Sequence, residues 1–357
     1  MYKKQIATDK KVITFGEGML RLTAPDFRRF SQTNQMIATY GGSEANVAVS
    51  LANFGIPTEF VTRLPDNAVA RACIASLRAN GLGTEGIVFG GKRMGLYFLE
   101  SGAAFRNSNV VYDREGSSFA TLRPGMIDWE KIFSDAGWFH WSGIAAALSQ
   151  DGADACREAL EIADRMGLTI SCDLNFRKKL WNYGSSAAEV MQPLVQYSDV
   201  IFGAEPEYKE ILGIQPVGFK AVDAEDTTFE ANLPAFEDFG RRVVELVPRC
   251  QKAFLELRNS ITSNHNLLAA ILYSDNTLKH TGIYDIECEV DRVGAGDAFV
   301  GGMIYGLITY PDNDQKALEY ALAASALKNT VYGDFNHVMV EEVESLMQGN
   351  TSGRVSR

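Results

Sequence analysis

From residue 138 to residue 259, the chain alternates between short apolar runs and longer amphipathic segments. The apolar runs are WFHWSGI, LTISCDLN, DVIFGAE and AFLELRN, and the segments between them include DGADACREALEIADRMG, SSAAEVMQPLVQY and FEDFGRRVVELV. Apolar runs of this length are typical of buried strands, and parallel strands are usually connected by helices. The alternation therefore predicts a parallel sheet covered by helices, with ligands bound at the carboxyl ends of its strands.

The amino-terminal part adds strands and two helices to this sheet. KVITFGE predicts a buried strand, and MLRLTA predicts a half-exposed one. Helices are predicted over residues 43–55 and from Asp66 to residue 81, because each segment begins with a capping residue and ends with glycine. RMGLYFLE and NVVYDREGSS are aromatic and alternate with a period of two, which predicts an inserted antiparallel hairpin.

The carboxyl-terminal part continues with LLAAILYSD and LKHTGIYDIECEV, which predict antiparallel strands. Two helices rich in small residues are expected around residues 297–309 and 314–331. We find no internal repeat and no linker between domains, so a single α/β domain with a small inserted sheet is expected. The last ten residues, QGNTSGRVSR, are predicted to form a mobile tail.

Charge and cysteine content exclude several classes of partner. The 357 residues carry a formal net charge of -11, whereas surfaces that bind nucleic acids or anionic membranes usually carry a basic patch. No nucleic-acid or membrane partner is therefore expected. The five cysteines form no C-x-x-C pair, which predicts buried thiols in a reducing compartment. Because no signal-peptide or membrane-spanning run is found, we expect a cytoplasmic protein.

The segment DRVGAGDAFVGG, residues 291–302, places Gly294, Ala295 and Gly296 directly before an aspartate and an apolar helix. Backbone amides at such a helix start can hold an anion such as phosphate. Asp297 then stands where a hydroxyl attacking that phosphate would lose its proton. The alternative is a tight turn in which Asp297 only stabilises the helix dipole, and the motif alone favours that alternative. The sequence contains no P-loop, no dinucleotide-binding G-x-G-x-x-G after the first strand, and no H-E-x-x-H or G-x-S-x-G.

Two separated segments carry a resemblance to a known family. GGSEANVAVSLANFG and DRVGAGDAFVGG resemble the two signature regions of the PfkB, or ribokinase-like, sugar kinases. The resemblance covers nearly the whole chain. It implies a three-layer α/β/α sandwich over residues 1–345, with a small β-sheet lid from about 17–40 and 92–118, and a tail over 346–357.

The family resemblance also assigns roles in the reaction. It implies that Asp297 is the catalytic base, that the amides of Gly294, Ala295 and Gly296 form the anion hole, and that ATP and Mg²⁺ are the cofactors. The segments RMGLYFLE, VVYDREGS, CDLNFRKKLW and GDF resemble 2-keto-3-deoxygluconate kinases in particular. That resemblance makes a sugar acid the expected substrate, and arginine's planar guanidinium suits a carboxylate.

The residues that the resemblance places around the two substrates fall into two groups. The sugar-acid group is Gly41, Gly42, Asn46, Tyr97, Tyr112, Arg114, Arg177, Asp297 and Asp334. The nucleotide group is Asn175, Arg177, Glu207, Arg258, Ser260, Gly294 and Gly296, with Glu207 near hydrated magnesium. Each of these residues also has a structural alternative. The glycines could form a turn, the tyrosines could pack within the lid, the arginines could form surface ion pairs, and Glu207 could stabilise a helix start.

Three departures from the family pattern affect the nucleotide side. Arg292 occupies the position of threonine in D-T-x-G-A-G-D, Ala204 stands where many relatives have asparagine, and ELRNSIT lacks the form K-x-G-x-x-G. Kinases of neutral sugars such as fructose or ribose, and a non-catalytic regulator that binds sugar or nucleotide, stay open as alternatives. So do the gluconate and galactonate epimers of the acid. The aromatic lid strands also offer an edge for a homo-oligomer.

Overall fold

The computed structural model of the protein describes residues 10–351. Its strands are β1 Lys11–Phe15, β2 Met19–Thr23, β3 Ile37–Gly41, β4 Thr58–Val61, β5 Arg63–Leu64, β6 Val88–Phe89, β7 Gly95–Glu100, β8 Asn109–Asp113, β9 Ala136–Ser142, β10 Thr169–Asp173, β11 Val200–Phe202, β12 Lys252–Thr262, β13 His265–Ser274, β14 Thr277–His280 and β15 Tyr284–Ile286. Its helices are α1 Ser43–Asn53, α2 Ala68–Ala79, α3 Trp129–Phe133, α4 Gly143–Ala147, α5 Gln150–Arg165, α6 Ala187–Val195, α7 Glu205–Glu207, α8 Thr228–Ala231, α9 Leu233–Leu246, α10 Ala295–Thr309, α11 Asp314–Lys328 and α12 Val340–Met347.

The main sheet has the strand order β14-β13-β12-β11-β10-β9-β1-β4, with β15 paired to β13. Strands β4, β1, β9, β10, β11 and β12 run parallel to their neighbours, and β13, β14 and β15 pair antiparallel. The parallel part corresponds to the alternation of strand and helix in the sequence. The predicted parallel sheet and its antiparallel extension are therefore confirmed.

Both faces of this sheet are covered by helices. Along β1, Val12 packs in a cluster with Met303 of α10 and Leu318 of α11, whereas its neighbour Ile13 packs in a separate cluster with Leu160 of α5. Side chains of adjacent strand residues point to opposite faces, so a strand that is apolar on both faces needs a helical layer on each side. The result is the predicted three-layer sandwich.

The second sheet has four strands in the order β3-β2-β7-β8. The hairpin β7–β8 is antiparallel, as predicted, and β2 pairs parallel with β7 and antiparallel with β3. At the tip of the hairpin, Ala104 accepts a hydrogen bond of 2.8 Å from the Ser263 amide in the β12–β13 turn. The small sheet thus reaches across to the main sheet, and we call it the lid.

Some local predictions differ from the structure. Helix α2 is capped by Asn67, whose side chain accepts from the Ala70 amide, so the predicted cap at Asp66 is wrong by one residue. Cys288 is exposed while the other four cysteines are buried, so the prediction of buried thiols fails at that position. Helix α12 extends to Met347, and residues 352–357 of the predicted tail lie outside the described range. Among residues 10–351, no helix is long and apolar enough to cross a membrane.

Candidate active site

A cavity of about 810 Å³ lies between the lid and the carboxyl ends of the main-sheet strands. Nearly all of the predicted site residues line it, namely Gly42, Asn46, Tyr97, Tyr112, Arg114, Asn175, Arg177, Glu207, Arg258, Ser260, Gly294, Gly296, Asp297 and Asp334. Gly41 and Ala295 are not part of the lining. Gly41 instead packs against the Asp334 carboxylate, where any larger side chain would collide.

Asp297 lies in the first turn of α10, and both of its carboxylate oxygens accept hydrogen bonds from α1. The Ser43 hydroxyl donates to Oδ1 at 2.7 Å, and Nδ2 of Asn46 donates to Oδ2 at 2.6 Å. Nδ2 of Asn175 in turn donates to the Ser43 hydroxyl at 2.9 Å. Side chains from distant parts of the chain thus hold this carboxylate in one orientation. An aspartate that only stabilised the helix dipole would not need such a fixed orientation.

The environment of Asp297 also changes its acidity. Burial raises the pKa of its carboxyl group, and the hydrogen bonds from Asn46 and Ser43 oppose that shift. A carboxylate with a raised pKa is a stronger proton acceptor than an exposed one. Asp297 is therefore an oriented and basic carboxylate at the wall of the cavity.

The turn before α10 has the backbone geometry of an anion cradle. Gly294 caps the helix with a φ of 86°, and a side chain there would collide with the Asp334 carbonyl. The Ala295 amide donates to the Arg292 carbonyl at 3.2 Å, so the turn itself uses this donor. For the amides of Gly294 and Gly296, residues 10–351 provide no acceptor. These two amides are therefore available to a ligand, and the predicted contribution of Ala295 to an anion hole stays a prediction.

Asp334 connects the lid to this turn. Tyr97 of β7 donates its hydroxyl hydrogen to Oδ2 of Asp334, and Nη1 of Arg21 donates to Oδ1 at 2.8 Å. Arg21 also binds Oδ2 of Asp291 at 2.5 Å, and its side chain is only 2% exposed. The alternation of MLRLTA did not indicate this buried arginine.

Arg114 follows β8 and lies over the Tyr112 ring, 5.7 Å from its centroid. Its Nε donates to Oε2 of Glu17 at 2.8 Å, and Nη2 contacts the same oxygen. The Ser117 hydroxyl donates to the other Glu17 oxygen at 2.5 Å. Glu17 thus orients Arg114 and partly neutralises it. For Nη1, residues 10–351 offer no hydrogen-bond acceptor, and this group remains for a ligand.

Arg177 follows β10 and is 47% exposed at the mouth of the cavity. Its Nη1 donates to Oε1 of Glu207 at 3.3 Å. Burial and the charge of Glu207 raise the pKa of Asp173 well above its ordinary value, and burial also raises the pKa of Glu207 while Arg177 opposes the shift. The carboxyl groups of Asp173 and Glu207 therefore lie at this end of the cavity with too little positive charge nearby to offset two negative charges.

This carboxylate pair suits a magnesium ion held mainly by other ligands. Mg²⁺ in phosphoryl-transfer sites usually takes one or two carboxylates and completes its shell with phosphates and water. In the described part of the chain, no group of three or more histidine, cysteine, aspartate or glutamate residues could hold a metal ion. Asp173 and Glu207 suit a magnesium ion that keeps most of its water ligands. The described residues do not form a metal site built only from protein ligands.

Arg258, which lies in the segment ELRNSIT, and Arg292 both line the far end of the cavity. Arg258 of β12 is 3.5 Å from Glu256 and 4.0 Å from Glu289. Arg292 lines the same wall, where burial and then the charge of Arg258 lower its pKa. Glu289 accepts from Nδ2 of Asn266 at 2.6 Å. The two arginines and two glutamates form what we call the charge cluster.

Ser260 lies next to the charge cluster, and its hydroxyl donates to Oδ1 of Asn266 at 2.5 Å. The side chain lines the cavity, but its hydroxyl hydrogen is already used. Ala204 has no side-chain donor or acceptor, and its amide donates to Oε2 of Glu207 at 2.7 Å. This bond fixes the Glu207 carboxylate against Ala204, the residue that precedes α7, so the carboxylate has a structural partner as well as Arg177.

Comparison with known proteins identifies the family. Residues 9–237 and 268–338, which are most of the chain, match the description pfkB family carbohydrate kinase. The chain belongs to the pfkB family of carbohydrate kinases. The predicted family, the α/β fold and the ATP-dependent sugar kinase activity are thereby confirmed.

Several relatives cover almost the full length of this pfkB kinase. It is 31% identical to a 2-dehydro-3-deoxygalactonokinase of Haloferax volcanii, over 96% of this chain and 98% of the relative. It is 28% identical to Fructokinase-1 of Oryza sativa, over 94% and 97%. A solved 2-dehydro-3-deoxygluconokinase from Thermotoga maritima is 39% identical, with a TM-score of 0.86, and the match covers 95% of this chain and 100% of that structure.

Some residues of the kinase site were not indicated by the sequence. Ser43 was interpreted as a helix cap, but Gly42 holds that position and the Ser43 side chain binds Asp297. Asp173 stands in the segment CDLN at the end of a predicted strand, so its place at a strand end was an available signal. Glu17 and Arg21 lie in short strand-like segments, and nothing in the local pattern distinguishes them from surface charges.

Proposed function

We propose that this kinase transfers the γ-phosphoryl group of ATP to the terminal hydroxyl of 2-keto-3-deoxygluconate or its galactonate epimer. The observation that carries the proposal is Asp297, held by Ser43 and Asn46, in one cavity with Arg114 and Arg177. The names of the relatives from Haloferax volcanii and Thermotoga maritima support a sugar acid as the substrate.

The lid side of the cavity would bind the sugar acid. Arg114 and Arg177 would orient its carboxylate, because guanidinium groups form strong charge-assisted hydrogen bonds with carboxylates. Tyr97 and Tyr112, whose ring centroids are 5.9 Å apart, would cover the chain of the sugar. Asp334 would accept a hydrogen bond from a sugar hydroxyl. The backbone at Gly42 and Oδ1 of Asn46, which has no hydrogen-bond partner among residues 10–351, would complete this side, and Gly41 would support it by packing against the Asp334 carboxylate.

The transfer itself would take place at the start of α10. Asp297 would accept the proton of the attacking hydroxyl, and its fixed orientation keeps the proton acceptor in line with that oxygen. The amides of Gly294 and Gly296 would stabilise charge on the transferred phosphoryl group. The lid, which contacts the β12–β13 turn through Ala104 and Ser263, would exclude water that competes as an acceptor.

The opposite side of the cavity would bind the nucleotide. Arg258 and Ser260 would line its pocket, and Asn175 and Arg177 would lie near the phosphates. When bound, Mg²⁺ neutralises charge on the donor phosphates. We propose that Glu207 approaches it through water and that Asp173 shares this role, because both carboxyl groups face the cavity with raised pKa values.

A kinase of a neutral sugar is the second candidate, and the relative named Fructokinase-1 favours it. A neutral sugar has no carboxylate, so it would leave the two cavity arginines without a substrate partner. The deciding experiment measures ATP consumption with 2-keto-3-deoxygluconate, 2-keto-3-deoxygalactonate, fructose and ribose. A kcat/KM that is highest for one of the two acids supports the proposal, and a higher value for fructose or ribose contradicts it. Binding without turnover of any of the four would favour a regulator.

Location and assembly belong to the proposal as well. We propose a cytoplasmic protein from its composition, and a homo-oligomer formed through the lid. The lid exposes Ile37 on β3 and Val111 on β8, which are apolar side chains that a second lid would cover. The molar mass in solution tests the assembly, and an Ile37→Lys variant should then shift the protein towards monomer.

A further inference from the structure

We propose that Arg21 is a positioning residue for phosphoryl transfer, which joins the lid to the turn that carries the anion cradle. The inference rests on the proposed function, because it assigns a role in that reaction. Arg21 is not part of the cavity lining. It would therefore act through Asp291 and Asp334, the two carboxylates that its guanidinium binds.

All three nitrogens of the Arg21 guanidinium donate hydrogen bonds at the joint, by which we mean the contact of the lid with the anion-cradle turn through Asp291 and Asp334. Nη1 is 2.8 Å from Oδ1 of Asp334, Nη2 is 2.5 Å from Oδ2 of Asp291, and Nε donates to the Thr23 hydroxyl at 2.7 Å. Both carboxylates are buried, with side chains that are 5% exposed or less. Burial disfavours the charged guanidinium, but the two carboxylates outweigh this effect and raise its pKa. A single buried cation therefore bridges two buried anions.

Asp291 controls the backbone on one side of the joint. Its Oδ1 accepts from the Val293 amide at 3.1 Å, and its Oδ2 accepts from the Gly333 amide at 3.1 Å. The buried ammonium of Lys328 donates to the Asp291 carbonyl at 3.2 Å and to the Val331 carbonyl at 3.3 Å. The segment before Gly294 is thus tied to the segment before Asp334 by bonds that converge on Asp291.

Asp334 forms the other side of the joint. Its carbonyl packs against Gly294 so closely that no side chain fits there, and its carboxylate packs against Gly41 of β3. Tyr97 of β7 binds the same carboxylate. Strands β2, β3 and β7 of the lid therefore all meet the anion-cradle turn at Asp334. Arg21 is the cation that binds both Asp291 and Asp334, and with the charge of the nearby Lys328 ammonium it allows the two carboxylates to be buried together.

This arrangement predicts a specific effect of changing Arg21. Without the bridge, the cradle amides and the lid would no longer share a fixed position, and a small misplacement of a reacting group lowers the rate strongly. We expect Arg21→Lys to lower kcat about 10- to 100-fold while KM for ATP changes less than about threefold. Arg21→Met should lower kcat at least as much. Lysine keeps the charge but lacks the planar guanidinium group whose two Nη atoms bind Asp334 and Asp291.

The matched control is Arg29→Met. Arg29 also lies in the lid region and pairs with Glu100 at 3.5 Å, but its side chain is 59% exposed and it does not touch the cradle turn. Its removal should leave kcat within about twofold of the parent, because Arg29 itself is largely exposed and the buried Glu100 carboxylate keeps Arg106 at 3.4 Å and the Phe30 amide at 3.0 Å as partners. A loss of kcat in Arg29→Met equal to that in Arg21→Lys would overturn the proposal, since any disturbance of the lid would then be sufficient.

Amide hydrogen exchange tests the joint without any assumption about the substrate. In Arg21→Lys, and in Arg21→Met if it folds, amides of residues 291–296 should exchange faster than in the parent and in Arg29→Met. Unchanged exchange in that segment in both Arg21 variants would overturn the proposal. If the parent protein phosphorylated none of the four sugars, the proposed function would fail, whereas the exchange result would still decide the role of Arg21 in the turn.

Discussion

Asn46 and Asp297 are 251 positions apart in the chain, yet Nδ2 of Asn46 lies 2.6 Å from Oδ2 of Asp297. This bond joins the two segments that carry the family resemblance, one on α1 and one on α10. Helices α1 and α10 pack together on one face of the main sheet, so the fold itself brings the motifs into contact. The predicted base and its orienting amide thereby form one unit.

The first prediction concerns the base itself. Asp297→Asn preserves the shape of the side chain but removes its ability to accept a proton. We expect turnover to fall by roughly two or more orders of magnitude, while ATP and the sugar acid still bind. Steady-state kinetics and calorimetric titration with each substrate measure the two effects. Turnover near that of the parent would remove Asp297 from its role.

The second prediction concerns the pH dependence set by Ser43. The hydrogen bond from Ser43 opposes the rise in the pKa of Asp297, so Ser43→Ala should raise that pKa further. A base acts only when deprotonated, and activity is therefore lost as the pH falls through its pKa. The acid limb of kcat/KM should move to higher pH in this variant.

The control for Ser43 is Ser50→Ala on the same helix. The Ser50 hydroxyl is buried and donates to the Asn46 carbonyl at 3.1 Å, without touching Asp297. Its removal should leave the acid limb where it is in the parent. An identical shift in both variants would mean that the change came from disturbance of α1 and not from the lost bond.

The sequence predicted the parallel sheet, the helical layers and the hairpin of the lid because each has a local period that a short window reveals. The contiguous motif of glycines before an aspartate drew attention to Asp297, but its role as a base was predicted only from the resemblance of two separated segments to the family. The sequence did not predict the ion pairs of Arg21. Asp291 and Asp334 lie 270 and 313 positions away from Arg21, and such a pairing leaves no local periodicity. The exposure of Cys288 and the capping of α2 by Asn67 were also not predicted, because both depend on where the chain turns at the end of a helix or strand, and the sequence does not specify that to the residue.

The third prediction concerns the acid-binding arginines. Arg177→Met removes a half-exposed guanidinium that we place near both substrates, so we expect KM for the sugar acid to rise about tenfold or more and KM for ATP to rise as well. Arg114→Met should raise KM for the sugar acid to the same extent, with little change in KM for ATP. It should also lower the melting temperature, because it leaves the buried Glu17 carboxylate with the Ser117 hydroxyl but without a cation.

The double variant Arg114→Met, Glu17→Gln separates these two effects. It should recover much of the lost melting temperature, since no uncompensated charge remains, but KM for the acid should stay high. Thermal unfolding and substrate kinetics measure them independently. If KM stayed at the parent value in both single arginine variants, the assignment of an acidic substrate would be contradicted.

The fourth prediction concerns Arg292, which replaces the threonine of many relatives. It lies in the charge cluster beside Arg258, and its guanidinium has no hydrogen-bond acceptor among residues 10–351. Such a group suits the phosphates of the nucleotide. Arg292→Thr should therefore raise KM for ATP about tenfold or more, with little change in KM for the sugar. The KM for ATP should also become less sensitive to added salt, because a charge contact has been removed. Equal KM values for ATP in variant and parent would contradict this role.

The last prediction concerns the backbone of the anion cradle. Gly294 has a φ of 86°, and its Cα faces the Asp334 carbonyl, so Gly294→Ala both strains the backbone and forces these atoms apart. The strain alone should cost about 1–3 kcal/mol of the free energy of unfolding, and displacement of the amides should remove most of the turnover. Gly282→Ala is the control, because an added Cβ there meets no atom within 4 Å. Chemical denaturation and kcat measure both consequences. Gly282→Ala should match the parent in each, and a Gly294→Ala protein with parental kcat would show that the amides of this turn do not need their observed position for catalysis.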